Sequence, residues 1–475
     1  MRPIPRKPAL WEALTPIVLA AAILSAGVLV LDGVVPIPIL LTLACVAPAF
    51  MALRLGYRWK DVEGGMLDGM HLALGATVIL LVVGTTIGAW VQCGTVGAMV
   101  SYGLLVLQPS FFLPAACLLC SIVSLSIGSS WTTAATVGVA LMGIGAAIGV
   151  PAPMCAGAVL SGSYFGDKMS PLSDTTNLAP GIAGAGLFEH IQAMFYTTLP
   201  ALLIALVLYA LLGLTLGADT TGYSAEGITS LRTALGQAQH ISPWLFLPPA
   251  LVIALALVRV PAVPALLVAT AAGGVMAATF QGEGLGSILA CTYSGFTIET
   301  GNVAVDDLLS RGGMASMLDT VALVLAATAF GGIMERAGFV QVLLEALLRR
   351  VTSVGGLVTA TIVSCIGVNG LLCEQYLAIV LPGRMYRDTY PRFGLQPRML
   401  SRTIEDGGTV TSCLFPWNSG GAFMTATLGV ATISYVPFAF LNLLVPAIAI
   451  AYAWTGTFIL RTPPDDDERV APELT

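Results

Sequence analysis

Long stretches of the chain contain no charged side chain. Residues 69–166, 98 in number, include no Asp, Glu, Lys or Arg, and residues 407–460 form a second such stretch of 54. One helix needs roughly 20 residues to cross a bilayer, so the first stretch has room for about four spans and the second for two or three. The pattern predicts an all-α polytopic membrane protein with roughly 11–14 membrane segments.

The predicted spans are the apolar runs that lie between polar residues and Gly- or Pro-rich breaks. Several of them are short or interrupted by glycine, proline and serine, which predicts discontinuous or re-entrant helices. They cover 13–31, 35–53, 70–90, 96–127, 131–149, 152–166, 190–216, 243–258, 262–280, 319–334, 353–372, 375–383, 408–430 and 435–460.

Composition supports a membrane location. Of the 475 residues, 56% are hydrophobic and only 10% are charged, whereas soluble domains carry about 25% charged residues. We therefore expect membrane lipids around the protein and a small cation or small charged solute as its binding partner. We expect no nucleic acid as a partner. The net charge of −6 owes much to the tail residues 465–468, where we expect a short disordered end.

The chain repeats itself at a nearly constant offset. A shift of 244 residues matches Gly88 with Gly332, and a shift of 245 matches Gly149 with Gly394 and Gly162 with Gly407. The expected organisation is N-terminal helices in 1–69, a first transport repeat in 70–216, connecting loops with two helices in 217–313, a second transport repeat in 314–460 and an acidic tail in 461–475.

The charges flanking the two repeats predict opposite orientations. Residues 382–402 carry five arginines, whereas the matching segment 137–157 carries no charge. Positive loops stay in the cytoplasm, so the equivalent loops lie on opposite sides of the membrane. This is the mark of two inverted-topology repeats, which secondary transporters share. The same rule places both termini in the cytoplasm. We expect the membrane to be the inner (plasma) membrane of the cell.

Two polar islands interrupt the apolar chain at matching repeat positions. The first, 161–177, contains Asp167, Lys168 and Asp174 among hydroxyl groups, and the second, 401–418, contains Arg402, Glu405 and Asp406. Intramembrane charge is costly and therefore indicates a functional site. Oxygen ligands suit hard cations such as sodium. The alternative is that both islands are aqueous loops, which their matching positions and their serines and threonines disfavour.

A second matched pair lies upstream of the islands. On the 245 offset, Ser129 aligns with Glu374 and Trp131 with Tyr376. Glu374 follows 23 uncharged residues, 351–373, and is either a functional acid or an interfacial one. For the two aromatic residues, packing or anchoring at the interface is at least as good an explanation as a role in a site.

These motifs resemble the NhaC-type sodium/proton antiporter family of the broader ion-transporter superfamily. The resemblance rests on segments 138–145, 164–178, 379–385, 400–412 and 416–418 and extends over nearly the whole membrane region. It implies exchange of sodium for protons. The sequence departs from the family pattern at 373–376, which reads Cys-Glu-Gln-Tyr instead of Gly-Asp-Gln-Tyr, and at 129–132, which reads Ser-Ser-Trp-Thr instead of Thr-Ser-Trp-Gly.

The resulting hypothesis is alternating access around carboxylates that bind either protons or a cation. Asp167 and Asp174 are the predicted sodium ligands, with Glu374, Glu405 or Asp406 assisting and with Lys168 and Arg402 as counter-charges. No cofactor is expected beyond the transported sodium ion and protons. The predicted neutral oxygen donors are Ser129, Ser130, Ser173, Thr175, Thr176, Thr409, Thr411 and Asn418.

The alternatives to this hypothesis are an exchanger of organic solutes, an intramembrane enzyme and a passive channel. The channel is disfavoured because inverted repeats with discontinuous helices suit carriers. Some relatives of this family exchange organic acids or amino acids, such as malate for lactate, so Arg402 or Lys168 could instead bind a carboxylate. An intramembrane enzyme is disfavoured, because the sequence has no His-Glu-x-x-His motif and shows no Ser-His pairing. A homodimer is possible by analogy only.

Overall fold

The computed structural model describes residues 5–29, 35–106, 109–218, 225–258 and 260–462. The acidic residues 465–468 lie outside these ranges. In the described part the architecture is all-α, as predicted, and the sole β pairing is an isolated bridge between Leu395 and Arg461. The first half contains α1 Leu10–Leu29, α2 Ile37–Ala44, α3 Val46–Arg54, α4 Trp59–Gln92, α5 Thr95–Val106, α6 Pro109–Ile127, α7 Ser130–Thr133, α8 Val139–Ala147, α9 Ala152–Met169, α10 Asp174–Ala183 and α11 Leu187–Ala218.

The rest of the chain continues in the same style. A π-helical turn, Ala134–Gly138, joins α7 to α8, and short 3-10 turns precede α13, α17, α23 and α25. The remaining helices are α12 Ala225–Ala238, α13 Leu247–Leu257, α14 Ala262–Phe280, α15 Leu285–Ser294, α16 Val303–Leu309, α17 Leu318–Arg336, α18 Phe339–Leu348, α19 Val354–Leu372, α20 Gln375–Tyr386, α21 Thr389–Arg392, α22 Pro397–Gly408, α23 Ser419–Leu428, α24 Thr432–Tyr435 and α25 Phe440–Thr455.

Within the described ranges, nine helices are long and apolar enough to cross a membrane, and two strongly bent helix pairs raise the number to eleven. The multi-pass prediction is confirmed, and the number of spans reaches the predicted range of roughly 11–14 only when both bent pairs are counted. Helix α11 shows the lipid-facing pattern, because Leu203, Val207 and Leu214 each expose more than half of their surface. Contiguous apolar surface of this kind is rare on soluble proteins. By contrast, the span 130–147 is 83% buried and lies at the centre of the protein.

The two halves repeat their helix bounds at the offset seen in the sequence. Helices α6 and α19 have 19 residues each and begin 245 positions apart. Helices α10 and α23 have ten residues each and are also 245 positions apart. Left-handed backbone conformations recur in the same register, at Gly128 and Cys373 and again at Gly149 and Gly394. The repeat is therefore structural, and its inversion across the membrane stays a prediction.

Some boundaries differ from the predicted ones. Segment 96–127 divides into α5 and α6, and segment 408–430 contains the end of α22, a turn and then α23. Helix α4 crosses the expected boundary at 69/70 without a break. Segment 217–313 contains five helices where two were expected, because hydropathy does not reveal helices as short as α15 and α16; a bent pair and α14 are its two candidate spans.

Close packing of α6 against α9 positions the first polar island. A methyl group on Gly162 would overlap the carbonyl oxygen of Cys117, and one on Gly166 would overlap the backbone of Leu125. Only glycine allows this approach of two backbones. The contact holds the last turn of α9, which carries Asp167, against the point where α6 ends.

Candidate functional site

The helix breaks of the two repeats meet at one cavity. Helices α6 and α7 are interrupted at Gly128–Ser129, and α19 and α20 are interrupted at Cys373–Glu374. Residues from both breaks line a space of about 500 Å³, which we call the first cavity. Its polar and aromatic wall consists of Ser129, Trp131, Asp167, Asp174, Glu374, Gln375 and Tyr376.

Asp167 is the buried acid of the first repeat. Its side chain is 4% exposed, and its Oδ2 accepts a 2.6 Å hydrogen bond from Ser130 Oγ. Its Oδ1 makes no hydrogen bond of normal geometry. Ser129 caps α7 by accepting from the Thr132 backbone amide at 3.2 Å. The helix break thus turns the hydroxyl of Ser130 towards a carboxylate that keeps one oxygen free.

Glu374 occupies the same place in the second repeat. It caps α20 by accepting from the backbone amides of Tyr376 at 2.6 Å and Leu377 at 3.3 Å. Its side chain is 4% exposed. Cys373 before it adopts a φ of +61°, which is uncommon for a residue with a side chain. A carboxylate replaces the hydroxyl cap of Ser129 here, which adds an acid to the cavity wall.

Asp174 differs from the prediction of a carboxylate held away from solvent. Its side chain is exposed, because it is the first residue of α10, at the cavity wall. The Tyr376 hydroxyl donates to Asp174 Oδ2. This bond joins the island of one repeat to the break of the other. Tyr376, whose role the sequence left open, is therefore a partner of a site carboxylate.

A second cluster of charges lies in α9 and α22 and is completely buried. Lys168 Nζ lies 2.7 Å from Asp406 Oδ1, so Lys168 pairs with the opposite repeat and not with Asp167 or Asp174. Arg402 Nε lies 4.0 Å from Asp406 Oδ2, and its guanidinium donates to the Phe458 carbonyl at 3.1 Å. All three side chains are 0% exposed.

Glu405 lies beside this ion pair and forms no salt bridge of its own within the described part of the chain. Its Oε1 accepts from Thr409 Oγ1 at 2.8 Å, and its Oε2 makes no hydrogen bond.

The hydroxyl groups of the first island lie after α9. Thr176 Oγ1 donates to the Lys168 carbonyl at 3.0 Å, and Ser173 Oγ lies 3.2 Å from Thr175 Oγ1. The predicted hydroxyl groups of the first island thus surround the end of α9.

Asn418 and Thr411 belong to an amide network behind the second break. Asn418 caps α23 through its Oδ1, which accepts from Gly420 at 2.9 Å. Its Nδ2 donates to the Asn369 carbonyl at 2.9 Å, and Asn369 Nδ2 donates to Thr411 Oγ1 at 3.0 Å. The sequence analysis did not select Asn369, although a lone amide in an apolar helix was a usable signal.

Two other buried contacts escaped the sequence analysis. Thr197 of α11 donates to Asp406 Oδ1 at 3.1 Å. His190 Nδ1 lies 2.9 Å from Ser401 Oγ, so a Ser–His pairing exists in space although the sequence showed none. The partners are 209 and 211 residues apart, and no local motif predicts such contacts. Both members of the Ser–His pair are fully buried.

The first cavity is acidic. Asp167, Asp174 and Glu374 line it, and no lysine or arginine does so among the residues that the structure describes. Across those same residues, no group of three or more His, Cys, Asp or Glu side chains could hold a resident metal ion. The wall of the first cavity thus offers carboxylate oxygens, which are the ligands that hard cations prefer.

Comparison with known proteins identifies the family. A model described as the Na+/H+ antiporter family matches residues 162–457, which include the end of α9 with Asp167, the second break and α22. The chain belongs to the Na+/H+ antiporter family. The resemblance inferred from the sequence is confirmed.

Curated relatives cover almost the whole chain. The Na+/H+ antiporter NhaC of Alkalihalophilus pseudofirmus is 40% identical over 93% of this chain and 94% of its own length. NhaC of Bacillus subtilis is 41% identical over 87% of this chain and 91% of its own. A malate-2H+/Na+-lactate antiporter of Bacillus subtilis is 35% identical over 96% of this chain and 97% of its own. These relatives, whose names state different cargo, are each similar to this chain over more than nine tenths of their own length.

Proposed function

We propose that the protein exchanges Na+ for protons across the inner (plasma) membrane by alternating access, with both termini in the cytoplasm. The observation that carries the proposal is Asp167. It is a buried carboxylate in the wall of the first cavity, with one oxygen held by Ser130 and the other without a partner. An unpaired buried carboxylate oxygen is costly unless a proton or a cation neutralises it.

Coupling follows if the two ions compete for the same oxygens. A proton on Asp167 leaves only a weak acceptor for Na+, whereas Na+ among Asp167 and the neighbouring hydroxyl groups excludes the proton. Burial from water favours the neutral or ion-paired form of a carboxyl group, which sharpens the competition. Glu374 and Asp174 also line the cavity, and their negative charges would attract the cation as it enters.

A second cavity offers the opposite access route. It measures about 490 Å³ and is lined by segments 294–297, 310–312 and 426–430 together with Ile87 of α4. The first cavity touches the same helix at Ile79, eight residues away, or about 12 Å along the axis. Trp131 lines the first cavity and stacks at 4.2 Å on Phe423 of α23, and the last residues of α23 line the second cavity. Movement of α23 against Trp131 would close one route as the other opens.

Exchange of organic anions is the second candidate, supported by the similarity to the malate/lactate antiporter. A basic side chain at the site would bind a carboxylate substrate. Lys168 and Arg402, both buried, face Asp406 and do not line the first cavity. The charge of the cavity wall therefore favours a cation as cargo.

Purified protein in proteoliposomes tests the proposal. With an imposed pH gradient, addition of Na+ should collapse the gradient, and Li+ and K+ define the selectivity. Asp167→Asn should reduce the response at least tenfold. Asp68→Asn is the matched control, because Asp68 is 69% exposed and pairs with Arg336 at the surface. If no alkali cation acts while labelled malate or lactate accumulates, the organic-anion exchanger replaces this proposal.

A further inference from the structure

We propose that the protein binds one anionic phospholipid on its lipid-facing side, with an acyl chain of that lipid in a groove between α1, α18 and α19. We call this space, about 500 Å³ in volume, the apolar groove. Among the described residues, it shares no lining residue with the first cavity. The inference therefore concerns a second site and does not depend on which ion the protein exchanges.

The wall of the apolar groove indicates the chemistry of its occupant. No charged side chain lies among the described residues that line it. The polar groups of its wall are already bonded within the protein: Ser364 Oγ donates to the Ala360 carbonyl at 2.7 Å, and Trp417 Nε1 donates to the Gly370 carbonyl at 2.8 Å. A polar occupant would lose its bonds to water and gain none in return. The wall therefore favours a hydrocarbon.

The depth of the apolar groove matches one leaflet of a bilayer. Leu14 and Leu24 of α1 both line it, and ten residues of helix extend about 15 Å. This is half of a hydrocarbon core about 30 Å thick, which is the depth that a lipid chain of one leaflet covers. The rim is open towards the bilayer, because Leu14 and Val363 each expose 43% of their surface. An acyl chain can thus enter from the side.

Basic side chains gather at the end of the groove that α18 covers. Leu347 of α18 lines the groove, and Arg349 and Arg350 follow directly after it, both exposed. Lys7 lies on the outer side of α18, with its Nζ 2.7 Å from Glu345. Three bases thus surround the single acid of this helix. Basic clusters at a membrane surface attract anionic lipids, so the charge selects a headgroup whose phosphate is not balanced by a cation of its own.

The other end of the groove lies at the second break. Helix α19 lines the groove from Val363 to its last turn, and Gly370 and Cys373 are among the lining residues. The Cys373 carbonyl accepts the backbone N–H of Ser419 at 2.9 Å, and the next residue is the cap Glu374. An acyl chain in the groove packs against the residues that form the break. Its binding therefore stabilises the described arrangement of the break.

Lipid titration of the delipidated, detergent-purified protein, followed by native mass spectrometry, tests the inference. One molecule of dioleoyl phosphatidylglycerol should remain bound, at a concentration at least fivefold lower than dioleoyl phosphatidylcholine requires, and should raise the unfolding temperature. Glycerol phosphate, which has the charge but no chain, should do neither. Equal retention of the two lipids, the same stabilisation by glycerol phosphate, or a dimer of the protein in place of the bound lipid would overturn the inference.

A substitution that fills the apolar groove locates the acyl chain. Gly367 lines the groove, and a methyl group added to it meets no atom within 4 Å. Gly367→Leu should therefore occupy the groove without displacing the backbone and should weaken phosphatidylglycerol binding at least fivefold. Gly236→Leu is the matched control, because this helical glycine of α12 has the same free space and lies outside the groove lining. Equal binding by the two variants would overturn the inference.

Surface substitutions test the headgroup without any change in the groove. Arg349→Gln combined with Arg350→Gln should remove the preference for phosphatidylglycerol and leave the binding of phosphatidylcholine unchanged. The matched control is Arg387→Gln combined with Arg392→Gln, since these two arginines are also exposed but follow α20. A preference that survives the first pair of substitutions, or that is lost equally with the second, would contradict the proposed headgroup site.

Discussion

Lys168 and Asp406 form an ion pair between the two repeats, with 2.7 Å between Nζ and Oδ1 and no exposed surface on either side chain. One partner ends α9 and the other lies in α22, the equivalent helices of the two halves. Thr197 donates a further hydrogen bond to the same carboxylate oxygen. The pair neutralises a charge in the protein interior and fixes the distance between the two islands that carry Asp167 and Glu405.

Breaking this pair from one side should be strongly destabilising. Lys168→Met leaves Asp406 with the Thr197 hydroxyl and, as its basic partner, only the distant guanidinium of Arg402. Loss of one partner from a buried pair costs about 3–5 kcal/mol. Asp406→Asn should act similarly, and the double variant should lose less than the sum of the two. Thermal unfolding in detergent measures these effects. Lys7→Met is the control, since its bridge to Glu345 is largely exposed and contributes about 0–1 kcal/mol. Additive effects of the two substitutions would contradict the pairing.

The hydroxyl of Ser130 should set the pH range of exchange. Its hydrogen bond to Asp167 stabilises the charged carboxylate, and such bonds contribute about 1.5–3 kcal/mol. Ser130→Ala should therefore favour the protonated acid, so Na+ displaces the proton only at higher pH. We expect the profile of exchange rate against pH to move to the alkaline side by about one to two units. Ser126→Ala, which removes an exposed hydroxyl bonded within α6, should leave the profile in place. An acidic shift would show that Ser130 does not hold the charged form.

The repeat was predictable from the sequence because glycine and proline positions are fixed by backbone geometry. Gly149 and Gly394 both adopt left-handed conformations, and their spacing therefore survives although the side chains around them have changed. The sequence also predicted that three acids are buried, namely Asp167, Glu405 and Asp406, because an acid within an apolar run of a membrane protein faces the protein interior and not the lipid. All three side chains are at most 4% exposed.

The contacts of the site were not predictable from the sequence. Lys168 has Asp167 as its neighbour in the chain and Asp174 six residues away, yet it pairs with Asp406, 238 residues later. Asp174 is exposed because α10 begins at the cavity wall, a position that depends on how α10 packs against the second repeat. These features follow from contacts between the halves, which residue spacing within one half does not report.

Glu374 combines a capping role with a charge, and two substitutions separate them. Glu374→Ser keeps a good N-cap, the residue that the first repeat has at Ser129, and should change the thermal stability little. Glu374→Ala removes the cap as well. It should lower the free energy of unfolding by about 1 kcal/mol more than Glu374→Ser does. Both variants lose a carboxylate of the cavity wall, so both should raise the apparent KM for Na+ to a similar extent. If only the alanine variant weakens Na+ binding, Glu374 acts through the helix and not through its charge.

Contact between α6 and α9 should tolerate no side chain at Gly162. A methyl group there would overlap the Cys117 carbonyl, so the helices must separate and move Asp167 away from Ser130. Gly162→Ala should therefore lower the yield of folded protein, and it should reduce the rate of Na+-dependent exchange at least tenfold.

Gly181→Ala is the matched control, because a methyl group on this helical glycine of α10 meets no atom within 4 Å. Since alanine is favoured over glycine in a helix by up to about 1 kcal/mol, that variant should be as stable as the unmodified protein or slightly more so. Size-exclusion profiles in detergent, read alongside exchange rates, distinguish the two outcomes, and a fully active Gly162→Ala would contradict the close packing that holds the site together.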